Sequence, residues 1–281
     1  MRDATTQPGY GPAVVEASLD ALLAKTTAAR RTLLAGVSGL QGSGKSTFTA
    51  QLAAAARARR IDAEVMSLDD FYLGRRERSL LARSVHPLLA TRGVPGTHDI
   101  GLLQQTLDAL GTASPRRPAR VPRFDKGRDT RIAPSRWRRV TRTPALIVLE
   151  GWCIGVPAQT AAAVRRPLNA LERNEDADAR WRSWVNAHLA DDYARLWRRL
   201  DTLVLLQAPS FAVVSRWRDQ QEQALRRRRA PHAMDAAALA RFLMHYERLS
   251  RHALRELPAR ADLRLLLDDE RRVRRIIGAQ R

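Results

Sequence analysis

Cysteine occurs once in the 281 residues, at Cys153, which excludes an intrachain disulfide framework. Lysine is almost as rare: Lys25, Lys45 and Lys126 stand among 49 basic residues, and arginine fills the other positions. A compact ammonium and a planar guanidinium bind phosphate differently, so two lysines inside motif-like segments draw notice. Long hydrophobic runs are also missing. ALIVLEGW at 145–152 and DTLVLLQA at 201–208 fall far short of the about 20 residues that a spanning helix needs, so no membrane span is expected. The opening stretch, MRDATTQPGYGPAVVEASLD, has no continuous apolar segment behind a basic flank, so no secretory signal is expected. With a lone cysteine, this suits a cytoplasmic protein.

Positive charge is abundant, at +20 formally. That raises nucleic acid as a partner. The arginines are spread through ARARR, RRERS, RRPAR, RWRR and RRRR rather than concentrated beside interleaved aromatics, which argues against a dedicated binding arm. Hydrophobic residues make up 44% and charged residues 28%, ordinary values for a globular chain. The length suits one domain over 1–281, with 1–14 loose because of Pro8, Gly9, Gly11 and Pro12.

Apolar spacing predicts a helix over 14–29, a buried strand over 31–39, then an alanine-rich helix from Lys45. Further buried strands are predicted at 61–68, 145–150, 202–207 and 262–267, with helical patterns at 210–229 and 233–257. Short apolar strands alternating with helices indicate an α/β fold in three layers, a mostly parallel sheet flanked by helices. Residues 83–141 read as long loops around the helix-like GLLQQTLDALG, and 166–200 as an insertion whose Trp181, Trp184 and Trp197 suggest core packing.

Between the first strand and its helix stands GLQGSGKST, 39–47, which matches G-x-x-x-x-G-K-[ST] in the context that gives the pattern a mechanism. Gly39, Gly42 and Gly44 allow the backbone to curl so that amides, with that of Ser43 among them, face phosphate oxygens. The helix opening at Lys45 adds its positive end. Lys45 would hold the β- and γ-phosphates of ATP, Ser46 would bind Mg²⁺, and Thr47 completes the nucleotide-binding stretch. This is a P-loop, and a P-loop NTPase fold is expected around it. No N-K-x-D guanine signature is present, leaving an ATPase or a kinase. Glu150 ends a strand where a carboxylate can organise Mg²⁺, though acids often end strands. MSLDDFYLG at 66–74 should emerge at the same sheet edge, where an aspartate can take a proton from an attacking hydroxyl.

In order along 31–278, the P-loop, SLDDFYL, RGVPGTHD, VPRFDKGRD and LEGW resemble D-glycerate 3-kinases of the plant and fungal type and their bacterial relatives. The broader group contains phosphoribulokinase, uridine kinase and pantothenate kinase. The resemblance implies transfer of the ATP γ-phosphoryl to the 3-hydroxyl of D-glycerate, with Asp69 as the base and Asp70 either near the metal water or shaping the turn. It also implies an acceptor pocket containing Arg92, His98 and Asp99, then Arg123, Asp125 and Lys126, suited to a carboxylate and hydroxyls. Arg216 and Arg218 occupy the place of a mobile lid, or else line a solvated helix face. Alternatives are a related kinase for a nucleoside or pantothenate, or a basic P-loop ATPase acting on nucleic acid.

Overall fold

A computed structural model of the protein describes residues 9–26, 31–227 and 234–278. Helix α1 (Pro12–Thr26) begins two residues earlier than its apolar spacing indicated, because Pro12 is well placed in a first helical turn. Residues 1–8 lie outside the described part. Of the stretch expected to be loose, Tyr10 is instead docked: its amide donates to the Gln51 Oε1 at 2.9 Å, and Gln51 Nε2 donates back to its carbonyl at 2.9 Å.

Strand β1 (Leu33–Gly39) is buried along its whole length and leads through the P-loop into α2 (Lys45–Ala58) and β2 (Ala63–Ser67). A short 3₁₀ turn, Leu68–Phe71, carries the two aspartates, and α3 (Arg75–Ser84) and α4 (Ile100–Gly111) follow. Helix α4 falls on the helix-like GLLQQTLDALG expected within the stretch read as long loops, and α3, which ends where that stretch begins, was not expected. The same stretch also holds two small antiparallel ribbons, β3 (Ala119–Val121) with β6 (Arg138–Val140) and β4 (Phe124–Asp125) with β5 (Thr130–Arg131). Strands this short carry no periodicity of their own; tertiary contacts define them.

After the buried β7 (Leu146–Gly151) comes the insertion, α5 (Ala161–Arg165), α6 (Ala170–Glu175), α7 (Arg180–His188) and α8 (Ala194–Trp197), with a π turn, Leu189–Tyr193, joining the last two. Trp181 is buried in the core, and Trp184 and Trp197 pack against it, as the aromatic spacing implied. Then come β8 (Thr202–Gln207), α9 (Ala212–Arg227), α10 (Ala236–Glu256), β9 (Leu263–Leu267) and β10 (Val273–Gly278).

The main sheet has the order β10-β9-β8-β1-β7-β2, parallel except for β10. Alternate residues feed opposite cores. Leu34, Ile147, Leu149, Leu203 and Leu205 join the face covered by α4, α10 and the insertion. Leu33, Ala35, Val37, Leu146, Val148, Val204 and Leu206 join the face covered by α1, α2 and α9. Since both faces are covered, the inner strands read as continuous apolar runs. The chain leaves β1 for β2 but β7 lies between them, so the carboxyl ends of β1, β7 and β2 sit side by side at the strand-order reversal where α/β sheets bind ligands.

Candidate active site

The P-loop backbone makes its turn at Gly42 (φ 80°) and Gly44 (φ 89°), a conformation that side chains with a Cβ rarely adopt. A Cβ on Gly42 would also lie 2.7 Å from Cβ of Trp217. Three side chains hold the loop's carbonyls. The Tyr10 hydroxyl donates to the Ser43 carbonyl at 2.7 Å, Arg271 Nε to that of Gly42 at 2.7 Å, and Lys45 Nζ to that of Leu40 at 3.1 Å. The Ser43 amide, expected to face phosphate, donates instead to the Leu40 carbonyl at 3.1 Å, which leaves the opening of α2 as the positive end that can receive an anion. The Ser43 hydroxyl and the Gln41 side-chain amide are buried and have no hydrogen-bond partner among the described residues. Unmet polar atoms beside a glycine cradle fit a phosphate group.

Burial pushes the Lys45 pKa down, against the charges of Glu150 and Asp69, which favour the ammonium. Register places Glu150 between Val37 of β1 and Ser67 of β2. The Ser46 hydroxyl donates to Glu150 Oε1 at 2.9 Å. A hydroxyl and a carboxylate paired this way, next to the phosphate cradle, match the hard oxygen donors that Mg²⁺ takes.

Just past β2, Asp69 accepts from the Tyr72 hydroxyl at 2.9 Å and from Lys126 Nζ at 2.6 Å. Burial alone would raise its pKa, but Lys126 and Tyr72 outweigh burial and hold the carboxyl well below the usual carboxylate range. Asp69 in turn raises the Lys126 pKa. Asp70 takes the Phe124 amide at 3.2 Å, which ties β4 to the 3₁₀ turn.

RGVPGTHD forms a tight loop clamped from both sides. The Trp152 indole donates to the Gly93 carbonyl at 2.9 Å, and the Tyr246 hydroxyl to that of Arg92 at 2.9 Å. Gly96 (φ 87°) packs so closely on Trp184 that a Cβ would come within 2.2 Å of the indole. His98 is 5% exposed, its ring stacked on Tyr72 at 4.5 Å, with Nδ1 2.5 Å from the Tyr193 hydroxyl. Arg92 lies over the Phe124 ring and pairs with Asp129, whose other oxygen takes the buried Arg78.

The structure thus brings together Lys45, Ser46, Glu150, Asp69, Lys126 and His98, with Arg92 close enough to influence Lys126 and Tyr72 electrostatically. Two expected acceptor residues instead hold turns. Asp99 caps α4, accepting from the Leu102 amide at 2.9 Å and pairing with Arg131 at 3.0 Å. Asp125 accepts from the Gly127 and Arg128 amides at 3.0 and 3.1 Å. Arg123 is exposed. Of the expected lid residues, Arg216 pairs with Asp269 at 2.6 Å, and Arg218 binds Gln221 and Glu222 of its own helix at 2.7 and 2.8 Å. Sequence reasoning missed Tyr10, Tyr193, Tyr246 and Arg271. Only distance along the chain hides them, since Tyr246 meets Arg92 across 154 residues and Arg271 meets Gly42 across 229. Tyr72 had a local signal, three residues after Asp69 in a 3₁₀ turn.

Among the described residues one other cluster, His86, Asp176 and Asp178, has metal-like spacing. Asp176 is saturated by the Trp181 and Arg182 amides and the Arg182 guanidinium, so its role is structural.

No family model matches the chain. The uncharacterized kinase mug58 of Schizosaccharomyces pombe is 34% identical over 230 residues, covering 77% of this chain and 79% of that protein. The chloroplastic D-glycerate 3-kinase of Arabidopsis thaliana is 33% identical over 205 residues, covering 69% of this chain and 42% of that protein. The chain belongs to the same family of kinases as mug58. The D-glycerate 3-kinase of Cryptococcus neoformans shares the fold, with a TM-score of 0.80 and 22% identity over 96% of this chain and 100% of that one. As a member of this family the chain is a kinase, and Lys45 and Asp69 stand close enough at one sheet edge for their charges to interact. Among the described residues no helix is long and apolar enough to cross a membrane.

Proposed function

We propose that the chain transfers the γ-phosphoryl of ATP to the 3-hydroxyl of D-glycerate, yielding 3-phosphoglycerate and ADP. The observation that carries this reading is Asp69, ionised and held by Lys126 and Tyr72, at the same sheet edge as a phosphate loop whose lysine feels its charge. The names of the plant and Cryptococcus relatives supply the acceptor.

In this reading Lys45 and the loop amides hold the donor's terminal phosphates. Magnesium, when bound, neutralises phosphate charge, and Ser46 and Glu150 are the residues that would hold it. Asp69 orients the attacking hydroxyl and takes its proton. A carboxylate with so low a pKa is a weak base toward an alcohol, so its proton transfer comes late, as the new P–O bond acidifies the hydroxyl. Arg92 and Lys126 supply the positive charge that a small carboxylate needs. A nucleic-acid substrate has less support, because arginines such as Arg59, Arg195 and Arg199 are paired with surface acids rather than gathered into a stripe. Phosphorus NMR of the product mixture tests the position of transfer: a 3-phospho product supports the reading, and a 2-phospho product refutes the assignment of the hydroxyl.

A further inference from the structure

We propose that His98 serves the acceptor as a neutral hydrogen-bond donor through its Nε2–H, and that Tyr193 is the positioning residue that fixes this tautomer. This deepens the reading above and rests on it for the acceptor's chemistry.

The tautomer follows from counting protons. The Tyr193 oxygen accepts the Gly96 amide at 3.1 Å. Among the described residues His98 Nδ1, at 2.5 Å, is the one acceptor placed to take the phenol's single proton. Nδ1 is therefore the acceptor, and in a neutral ring the proton sits on Nε2. That atom is buried and has no hydrogen-bond partner among the described residues. A buried donor without an acceptor is rare in a folded chain and calls for a ligand that completes it.

Its surroundings indicate which ligand. The ring lies against Tyr72, whose hydroxyl holds Asp69, and the backbones of Tyr72 and His98 form an isolated β-bridge. The free N–H thus belongs to the wall that carries the base. Burial drives the His98 pKa down to about 3, against the pull of Asp69, so the ring adds direction without charge while Arg92 and Lys126 add charge. What Nε2–H can accept is an oxygen lone pair, as a carboxylate or hydroxyl of a small hydroxy acid presents. A donor-only group such as an ammonium would be rejected.

Tyr193 comes from the π turn of the insertion, edge-on to Trp197 at 5.7 Å. Such single-turn distortions occur often at functional sites. The insertion then reaches the acceptor through one hydroxyl.

The test is nitrogen-15 NMR of the imidazole rings in the free full-length protein, with kinetics of Tyr193→Phe, His98→Gln and His98→Phe. Wild type should show His98 with a protonated Nε2 and a bare Nδ1, unchanged between about pH 5 and pH 8. Tyr193→Phe should mix the tautomers and raise KM for D-glycerate roughly tenfold while KM for ATP stays unchanged. His98→Gln, which keeps an N–H near the ε position, should retain more activity than His98→Phe. A proton on Nδ1 in wild type would overturn the proposal, as would unchanged tautomer and KM in Tyr193→Phe, or equal loss in both His98 variants. If wild type ignores glycerate, the substrate reading fails on its own. The tautomer spectrum is independent of the acceptor and still decides the His98 and Tyr193 assignment.

Discussion

Between Lys126 and Tyr72 the Asp69 carboxylate stays ionised across neutral pH, and two substitutions separate its charge from its position. Asp69→Asn keeps the shape and the phosphate loop, so MgATP binding should persist while turnover falls by roughly 10²–10⁴-fold, the usual worth of a positioned base. Equilibrium nucleotide binding and single-turnover rates check this, and unchanged turnover would remove Asp69 as the base. Lys126→Met removes the largest influence opposing burial and leaves the Tyr72 hydrogen bond, so the Asp69 pKa should rise and the acid limb of the kcat profile should move to higher pH than in wild type. Comparing each protein's rate at low and high pH with its own plateau removes the lost substrate contact. The sign for stability is the same: because the folded pKa is depressed, Asp69 contributes fully above its unfolded value of about 3.9 and loses that contribution as pH falls toward the folded one. Asp69, His98 and Lys126 were legible in the sequence because each stands in a short motif. Tyr193 was not, because it reaches His98 across 95 residues with no pattern linking them. Asp99 and Asp125 had the right chemistry but are engaged in a helix cap and a turn, roles that aspartate fills equally well.

At the scale of elements, the phosphate loop is held by segments from both ends of the described chain. Tyr10 precedes α1, and Arg271 (φ 67°) lies in the turn between β9 and β10, with its guanidinium over the Trp217 ring. Tyr10→Phe removes one buried hydrogen bond, worth about 0.5–1.5 kcal/mol, so KM for ATP should rise roughly two- to tenfold with kcat little changed. Initial-rate kinetics at saturating acceptor measures this, and a fall in kcat alone would contradict it. The RGVPGTHD loop is closely packed. Gly96→Ala forces a Cβ into the Trp184 indole at a positive φ and should destabilise by about 1–3 kcal/mol, visible in urea unfolding. Strands β1, β7 and β8 were legible because burial on both faces writes continuous apolar runs, whereas β2 and β9 are only partly buried and were legible as short apolar stretches. Strand β10 was not: Val273–Gly278 is a half-exposed edge rich in arginine, and its pairing with β9 rather than its composition makes it a strand.

Across the whole molecule, positive charge and catalytic chemistry separate. Arginines engage acids in many local pairs, among them Arg59 with Glu16 and Asp20, and such exposed pairs contribute little stability each. Two of the three lysines stand in the site, where a compact charge close to phosphate or carboxylate serves chemistry that the dispersed guanidinium groups do not. The third, Lys25, pairs with Asp262. The composition therefore directs attention to nucleic acid, whereas the proposed reading takes a small hydroxy acid from the relatives' names. The two are separated most directly by ADP release from the purified protein with MgATP and, in turn, D-glycerate, L-glycerate, pantothenate, uridine, RNA or no acceptor. Stimulation by D-glycerate over the others, abolished in Asp69→Asn, is the result this account predicts. Stimulation by RNA, or by another small acceptor with D-glycerate inert, would contradict it.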